Sequence, residues 1–191
     1  GDPEFTTHAA AARLYTAILM RAAGADVLPF RFTPYADALR SYVDELRLLH
    51  ARKARRSATP PADEGFEGLP ALADAILAFD AEARALDAAL VALANQDGAR
   101  PEKLEALNEA MTRIERAFLL PEGLPNRSWF KHGIYAPGLT TGYAAWPLPA
   151  VREGIEMNRP ELLKTGVPAT IQAIARASAA IHQAADIAAQ P

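Results

Sequence analysis

The four histidines are the first residues to consider for chemistry, because imidazole can bind metals and transfer protons near neutral pH. They are scattered along the 191-residue sequence, and none belongs to an HExxH motif or to a close His–carboxylate group: His8, His50, His132 and His182. Each is therefore predicted to be a surface or buried hydrogen-bonding histidine, and we expect no metal site in this chain.

Other catalytic signatures are also missing from the sequence. The chain has no cysteine, which excludes thiolate catalysis, cysteine-bound metals and disulfides. It has no G-x-S-x-G motif, no phosphate-cradling glycine loop and no dinucleotide-binding fingerprint. We therefore expect no catalytic residues and no catalysis by this chain alone.

One basic run could bind nucleic acid or lipid headgroups: Arg52-Lys53-Ala54-Arg55-Arg56. It follows a helical pattern, where cations complement the helix dipole and stay solvated. The formal net charge of the whole chain is −3, which opposes attraction to nucleic acid. No apolar run approaches the length that spans a bilayer, so we expect neither nucleic acid nor membrane as a partner.

The composition indicates which elements position the remaining residues. Half of the residues are hydrophobic, alanine is abundant, and β-branched residues are sparse. The sequence therefore predicts one all-α domain, a helical bundle with a four-helix-bundle-like core.

Six segments have helical spacing of apolar residues. The segment over residues 33–56 is predicted to begin with Thr33 as its N-cap and Pro34 at its first helical position. Pro168 is expected to end or bend the segment that follows Pro160. A loop is predicted between the second and third segments, over residues 57–65. The segments are Thr6 to about Ala23, residues 33–56, residues 69–93, residues 104–118, residues 148–155 and the stretch after Pro160.

The third and fourth segments have apolar residues at alternating three- and four-residue steps, separated by a short turn. This pattern predicts an antiparallel helical hairpin. The last segment has a seam lined by small residues, from Val167 to Ala185, that permits close helix approach. Apolar surface beyond what one bundle can bury would be buried between subunits, so we expect this seam to take part in dimer formation.

Residues 121–149 interrupt the helical pattern with prolines and glycines but are rich in aromatic residues. Long loops of this kind are often functional, and the large side chains predict a loop that packs in an ordered way.

The sequence around this loop is specific. Arg113-Ile114-Glu115-Arg116-Ala117-Phe118-Leu119 is followed by Pro121-Glu122-Gly123-Leu124-Pro125-Asn126-Arg127 and then by Trp129-Phe130-Lys131-His132-Gly133-Ile134-Tyr135-Ala136-Pro137. These strings, with Leu28-Pro29-Phe30 before the second helix, closely resemble the dimerisation domain shared by the transferrin receptor and the glutamate carboxypeptidase (folate hydrolase) family of zinc exopeptidases. The resemblance spans essentially the whole chain after residue 5.

The resemblance implies a domain organisation. Residues 1–5 are interpreted as a cloning scar, residues 6–27 as the tail of the last helix of a preceding protease domain, and residues 28–191 as the helical dimerisation domain. The two zinc ions and the catalytic glutamate of the family belong to the protease domain, which is absent from this chain.

The resemblance also implies a substrate-binding role for the loop at residues 137–147. In glutamate-specific relatives, a Lys-Tyr pair in this loop helps to bind the C-terminal glutamate of the substrate. Counting from Tyr135-Ala136-Pro137 without a gap places the tyrosine at Tyr143 and the lysine at Gly142. Glycine supplies no cation, so the parent peptidase is expected to have different or broader C-terminal specificity. An alternative is that Tyr143 merely packs under the loop.

Three functions follow as expectations. The first is a non-catalytic homodimerisation domain that pairs with itself, packs on its parent's protease domain and helps to complete a carboxypeptidase pocket. The second is a receptor-type protein-interaction domain from a catalytically dead relative, as in the transferrin receptor. An unrelated partner-binding bundle is a third. The family resemblance favours an extracytoplasmic location for the parent, periplasmic or secreted.

Overall fold

The computed structural model describes residues 2–56, 65–96, 98, 100–139 and 142–190. It confirms the all-α fold, with a small antiparallel hairpin inside the long loop. The predicted loop at residues 57–65 lies, apart from Gly65, outside the described residues. The helices are α1 (Thr6–Ala23), α2 (Thr33–Arg56), α3 (Leu69–Ala94), α4 (Pro101–Ala117), α5 (Pro149–Glu156) and α6 (Pro160–Ala189), and the strands are β1 (Tyr135–Pro137) and β2 (Ala145–Pro147).

The start of α2 differs from the sequence prediction by one residue. The carbonyl of Phe32 accepts the first helical hydrogen bond, from the backbone N–H of Ala36 at 3.1 Å, so Phe32 rather than Thr33 is the N-cap. The cap comes from another helix: the Asp87 carboxylate accepts hydrogen bonds from the N–H groups of Phe32 and Thr33 at 3.4 and 3.3 Å. A carboxylate at a helix N-terminus also faces the positive end of the helix dipole.

Helix α6 lies at the centre of the bundle. It packs against α3, α4 and α5, whereas the other main partner of α3 is α2. The predicted hairpin has the expected short connection between α3 and α4, but the main partner of α3 is α6 and not α4. The predicted seams are nevertheless buried, and that of α3 is buried throughout: Leu69, Leu72, Ile76, Phe79, Ala83, Leu86, Leu90 and Leu93.

Small residues let the neighbours of α6 come close to it. A Cβ at Gly166 would lie 2.6 Å from the carbonyl oxygen of Ala150 in α5. Real Cβ atoms essentially never come this close to another heavy atom. Ala173, Ala177 and Ala184 are also buried on this helix. The small side chains thus make α6 the central helix of a single chain.

Pro168 was expected to end or bend helix α6, and the helix continues through it without ending there. Pro168 lies on the exposed face of the helix, where the loss of one backbone donor is easiest to tolerate. None of the described helices has the length and apolar character needed to cross a membrane.

Candidate functional site

The segment between α4 and β1 folds back on itself and forms a base for the hairpin. Leu120 and Leu124 donate backbone hydrogen bonds to the carbonyls of Lys131 and Phe130, at 2.8 and 2.9 Å. The reversal needs left-handed backbone at Gly123 (φ 70°) and Asn126 (φ 60°). A Cβ at Gly123 would lie 2.2 Å from the carbonyl oxygen of Ser128, so only glycine fits there.

His132 connects this base to α4 and to β1. Its Nδ1 lies 3.2 Å from the backbone nitrogens of Ile134 and Tyr135, which can only donate, so Nδ1 is an acceptor. The proton is therefore on Nε2, which lies 2.9 Å from the Glu115 carboxylate. The geometry agrees with the prediction of a hydrogen-bonding histidine.

The other histidines lie in separate parts of the molecule. His8 pairs with Asp2 at 2.7 Å, His50 stacks on Phe66, and His182 pairs with Glu82 at 2.9 Å. Across the part of the chain that the structure describes, no three His, Cys, Asp or Glu side chains come together as a possible metal site.

Strand β1 is attached to α2 through tyrosines. The hydroxyl groups of Tyr135 and Tyr42 are 2.9 Å apart, and their rings meet edge to face. Burial, together with the hydrogen bond to Tyr42, raises the pKa of the Tyr135 hydroxyl well above its usual value. Tyr135 therefore remains a neutral anchor of the strand.

Strand β2 is anchored at Trp146, which pairs with Ala136 across the hairpin and is buried. The Arg152 guanidinium of α5 lies 5.6 Å from the centre of the Trp146 ring, and Arg152 also bonds Glu45 of α2 at 2.8 Å. Of the loop aromatics, Trp129 is mostly exposed, so the expectation that the large side chains pack holds for Tyr135 and Trp146 but not for Trp129.

The two predicted substrate-binding residues lie at the tip of the hairpin. Gly138 donates to the carbonyl of Ala144 at 3.1 Å and begins the tip; residues 140 and 141 lie outside the described residues. Tyr143 is fully exposed, so it does not pack under the loop in this chain. A Cβ at Gly142 would have no atom within 4 Å, so a side chain there has free space.

A buried ion pair at the base of the hairpin was not predicted from the sequence. Arg127 is 5% exposed, and its guanidinium lies against the carboxylate of Glu153 in α5, a residue that is 1% exposed. Arg127 also donates to the carbonyl of Pro137, at the end of β1. A sequence signal existed in α5, where Glu153 lies between apolar residues that are buried, Val151 and Ile155.

The small-residue seam of α6 packs largely within its own bundle. Val167, Ile174 and Ile181 are buried inside the bundle, and Ile171, Ser178 and Ala185 are partly buried. The small residues thus serve contacts within one chain, and the expectation that the seam also takes part in pairing two chains stays a prediction.

Apolar surface remains exposed on two helices after the core is complete. No residue of α1 is buried, and its exposed residues include Leu14, Ile18 and Leu19. On α3 the exposed residues are largely alanine with Leu77 and Val91, and the only charged ones are Asp74 and Arg84.

The linker between α1 and α2 is held in place on α4. The Asn108 amide accepts from the backbone N–H of Leu28 and donates to the carbonyl of Asp26, both at 2.8 Å. Because α1 has no buried residues, this linker sets where α1 leaves the bundle.

Comparisons with known proteins agree with this architecture. The family model of the transferrin receptor-like dimerisation domain matches residues 67–188. A probable glutamate carboxypeptidase of Arthroderma benhamiae is 32% identical over 188 residues, covering 98% of this chain and 23% of that protein.

Two further relatives extend the comparison. The probable glutamate carboxypeptidase AMP1 of Arabidopsis thaliana is 28% identical over 94% of this chain and 24% of its own length. The aminopeptidase NAALADL1 of Rattus norvegicus is 27% identical over 76% of this chain and 18% of its own length. The chain thus spans about a quarter or less of the length of these relatives. We conclude that it belongs to the transferrin receptor-like dimerisation domain family.

Proposed function

We propose that this chain is the non-catalytic homodimerisation domain of a larger zinc exopeptidase of the glutamate carboxypeptidase type. The observation that carries the proposal is the family match over residues 67–188. Apolar surface that its own core leaves exposed, on α1 and α3, supports burial against further protein.

The exposed helix α1 supports the proposed domain boundary at residue 27. An amphipathic helix without buried residues has its apolar side available for packing on another domain. Residues 6–27 are proposed to be the end of the preceding protease domain, and residues 28–191 the pairing domain. Asn108 then holds the junction between the two at the surface of α4.

The zinc chemistry is assigned to the absent protease domain. The described side chains form no group of three or more possible metal ligands. The contribution proposed for the chain is binding and positioning of the substrate.

Residues 137–147 are proposed to complete the parent's substrate pocket. Tyr143 is exposed at the hairpin tip, and its hydroxyl can donate a hydrogen bond to a substrate carboxylate. A tip held by a packed base delivers this donor on a rigid scaffold, which lowers the entropic cost of binding.

Gly142 is proposed to make the pocket less selective for a terminal glutamate. It provides no cation to pair with a glutamate side chain, although the space for a longer side chain exists. The pocket therefore no longer favours the side-chain carboxylate of a terminal glutamate. The Tyr143 hydroxyl can still bind the terminal carboxylate, which every C-terminal residue has.

Kinetics of the full-length parent test this function. We expect hydrolysis of peptides ending in Glu and in Leu with similar kcat/KM. A strong preference for Glu would refute the specificity proposal. Absence of hydrolysis of either peptide by zinc-loaded, folded parent would favour the receptor-type alternative over the peptidase.

A further inference from the structure

The described residues of the hairpin tip make few contacts of their own. Tyr143 is fully exposed, Gly142 has open space around it, and Leu139 is 42% exposed. The direction in which Tyr143 points from the bundle is therefore set where the two strands begin and end, at β1, β2 and the residues that hold them.

Arg127 joins three segments at that base. Its Nη1 donates to the carbonyl of Pro137, the last residue of β1. Its Nη2 lies against the Glu153 carboxylate of α5, and its guanidinium lies 5.5 Å from the centre of the Phe130 ring in its own loop. One side chain thus connects the loop, the strand that leads to the tip, and the helix that follows the hairpin.

The chemistry of this pair suits positioning better than stabilisation. Taking two charges out of water costs much of the energy that their attraction returns, and well-packed apolar residues often replace such pairs with no loss of stability. A guanidinium, in contrast, is planar and holds its donors in fixed directions. The carbonyl of Pro137 and the Glu153 carboxylate are therefore held at a defined relative angle.

We propose that Arg127 and Glu153 form a positioning pair that fixes the orientation of the hairpin carrying Tyr143. The pair holds the end of β1 to α5, the helix that follows the hairpin, so the tip leaves the bundle in one direction. Only the consequence for substrate binding rests on the function proposed above for Tyr143; the effect on the hairpin does not.

Amide hydrogen exchange of the 191-residue chain tests the proposal directly. The variant Arg127→Met/Glu153→Leu removes both charges together, so neither is left buried and unpaired. We expect the Gly138 amide, which bonds Ala144, to exchange about tenfold faster or more, while core amides of α3 and α6 keep their rates. Arg127→Lys, which keeps the charge but not the fork, should give a smaller increase.

The control is Arg113→Met, which removes an exposed arginine paired with Glu109 and should leave Gly138 exchange unchanged. Unchanged Gly138 exchange in the double variant, or equal acceleration of the helix cores, would overturn the proposal. If the double variant does not fold, Arg127→Lys serves instead, because it keeps the buried charge while removing the planar guanidinium. A local increase at Gly138 again supports the pair, and no increase again overturns it.

The parent enzyme separates this inference from the function of the tip. If Arg127 acts through Tyr143, the Arg127→Met/Glu153→Leu variant and Tyr143→Phe should each raise KM, with kcat little changed. Combining them should raise KM by less than the sum of the two separate effects on binding free energy. Faster Gly138 exchange with an unchanged KM would support the positioning pair and refute the substrate role of Tyr143.

Discussion

At the residue scale, the proposed substrate binding depends on two neighbours at the hairpin tip, Gly142 and Tyr143. The family resemblance, counted from Tyr135-Ala136-Pro137, implies their roles, and these roles remain predictions. The structure adds that both are open to solvent, so a change at either should act on binding rather than on folding.

Replacing Tyr143 by Phe removes the proposed donor to the substrate carboxylate. A hydrogen bond to a charged group contributes about 1.5 kcal/mol or more, so KM of the parent should rise about tenfold with kcat nearly unchanged. Steady-state kinetics on a peptide substrate measure this. Tyr15→Phe, at an exposed tyrosine of α1 far along the chain, is the matched control. A KM equal to that of the unmodified parent would contradict the role.

Replacing Gly142 by Lys adds the cation that the glutamate-specific pattern has. A Cβ fits there without contact, so the domain should fold normally. We expect kcat/KM for Glu-terminated over Leu-terminated peptides to rise about tenfold, as a charge-assisted hydrogen bond of about 1.5 kcal/mol would give. Gly142→Gln provides length without charge and should change the ratio little. Equal ratios for Lys and Gln would refute the electrostatic explanation.

The buried ion pair of Arg127 with Glu153 could not be predicted from the sequence. Periodicity identifies apolar residues that face a core, but both members of this pair are charged, and one lies in an irregular loop. Their burial depends on the loop folding back at Gly123 and Asn126, which is a property of tertiary structure.

At the element scale, the helices were predicted well and their neighbours less well. The seam of α3 was predicted residue by residue, because burial imposes its period on the sequence. An apolar seam in the sequence does not show which helix packs against it. The small residues of α6 could serve a contact within the chain or between chains, and the structure shows that they pack within it.

Asp87 connects two elements, since it lies on α3 and caps α2. Asp87→Ala should lower the free energy of unfolding by about 1 kcal/mol, as expected for loss of an N-cap. Urea denaturation measures the change. Asp74→Ala is the control, since this exposed position on the same helix gains equal helix propensity without losing a cap. Equal changes at the two positions would show that the cap contributes nothing.

His182 connects α6 to α3 and makes the stability of that contact dependent on pH. The hydrogen bond to Glu82 and the nearby charges of Asp186 and Glu82 raise the pKa of His182 above its usual 6.5. Because the folded-state pKa is the higher one, the stabilisation is complete below the unfolded pKa and is lost as pH rises through the folded pKa.

The measurement is the difference in unfolding free energy between the unmodified chain and His182→Gln. This difference should be larger at about pH 5.5 than at about pH 8.5. A difference that does not vary with pH would contradict the assignment.

At the scale of the whole molecule, the chain is a bundle whose core is complete while α1 and the outer face of α3 remain apolar and exposed. Fold class and family could be predicted from the sequence, because the strings around residues 113–137 are long and specific. The surface that pairs two copies stays a prediction, since the small residues of the predicted seam are largely used within the bundle.

Sedimentation equilibrium of the 20.5 kDa chain over a range of micromolar concentrations tests the central claim most directly. A pairing domain should associate reversibly to twice the monomer mass, with a dimer fraction that rises with concentration. A folded chain, verified by circular dichroism, that sediments as a monomer throughout that range would contradict the claim that this is a pairing domain.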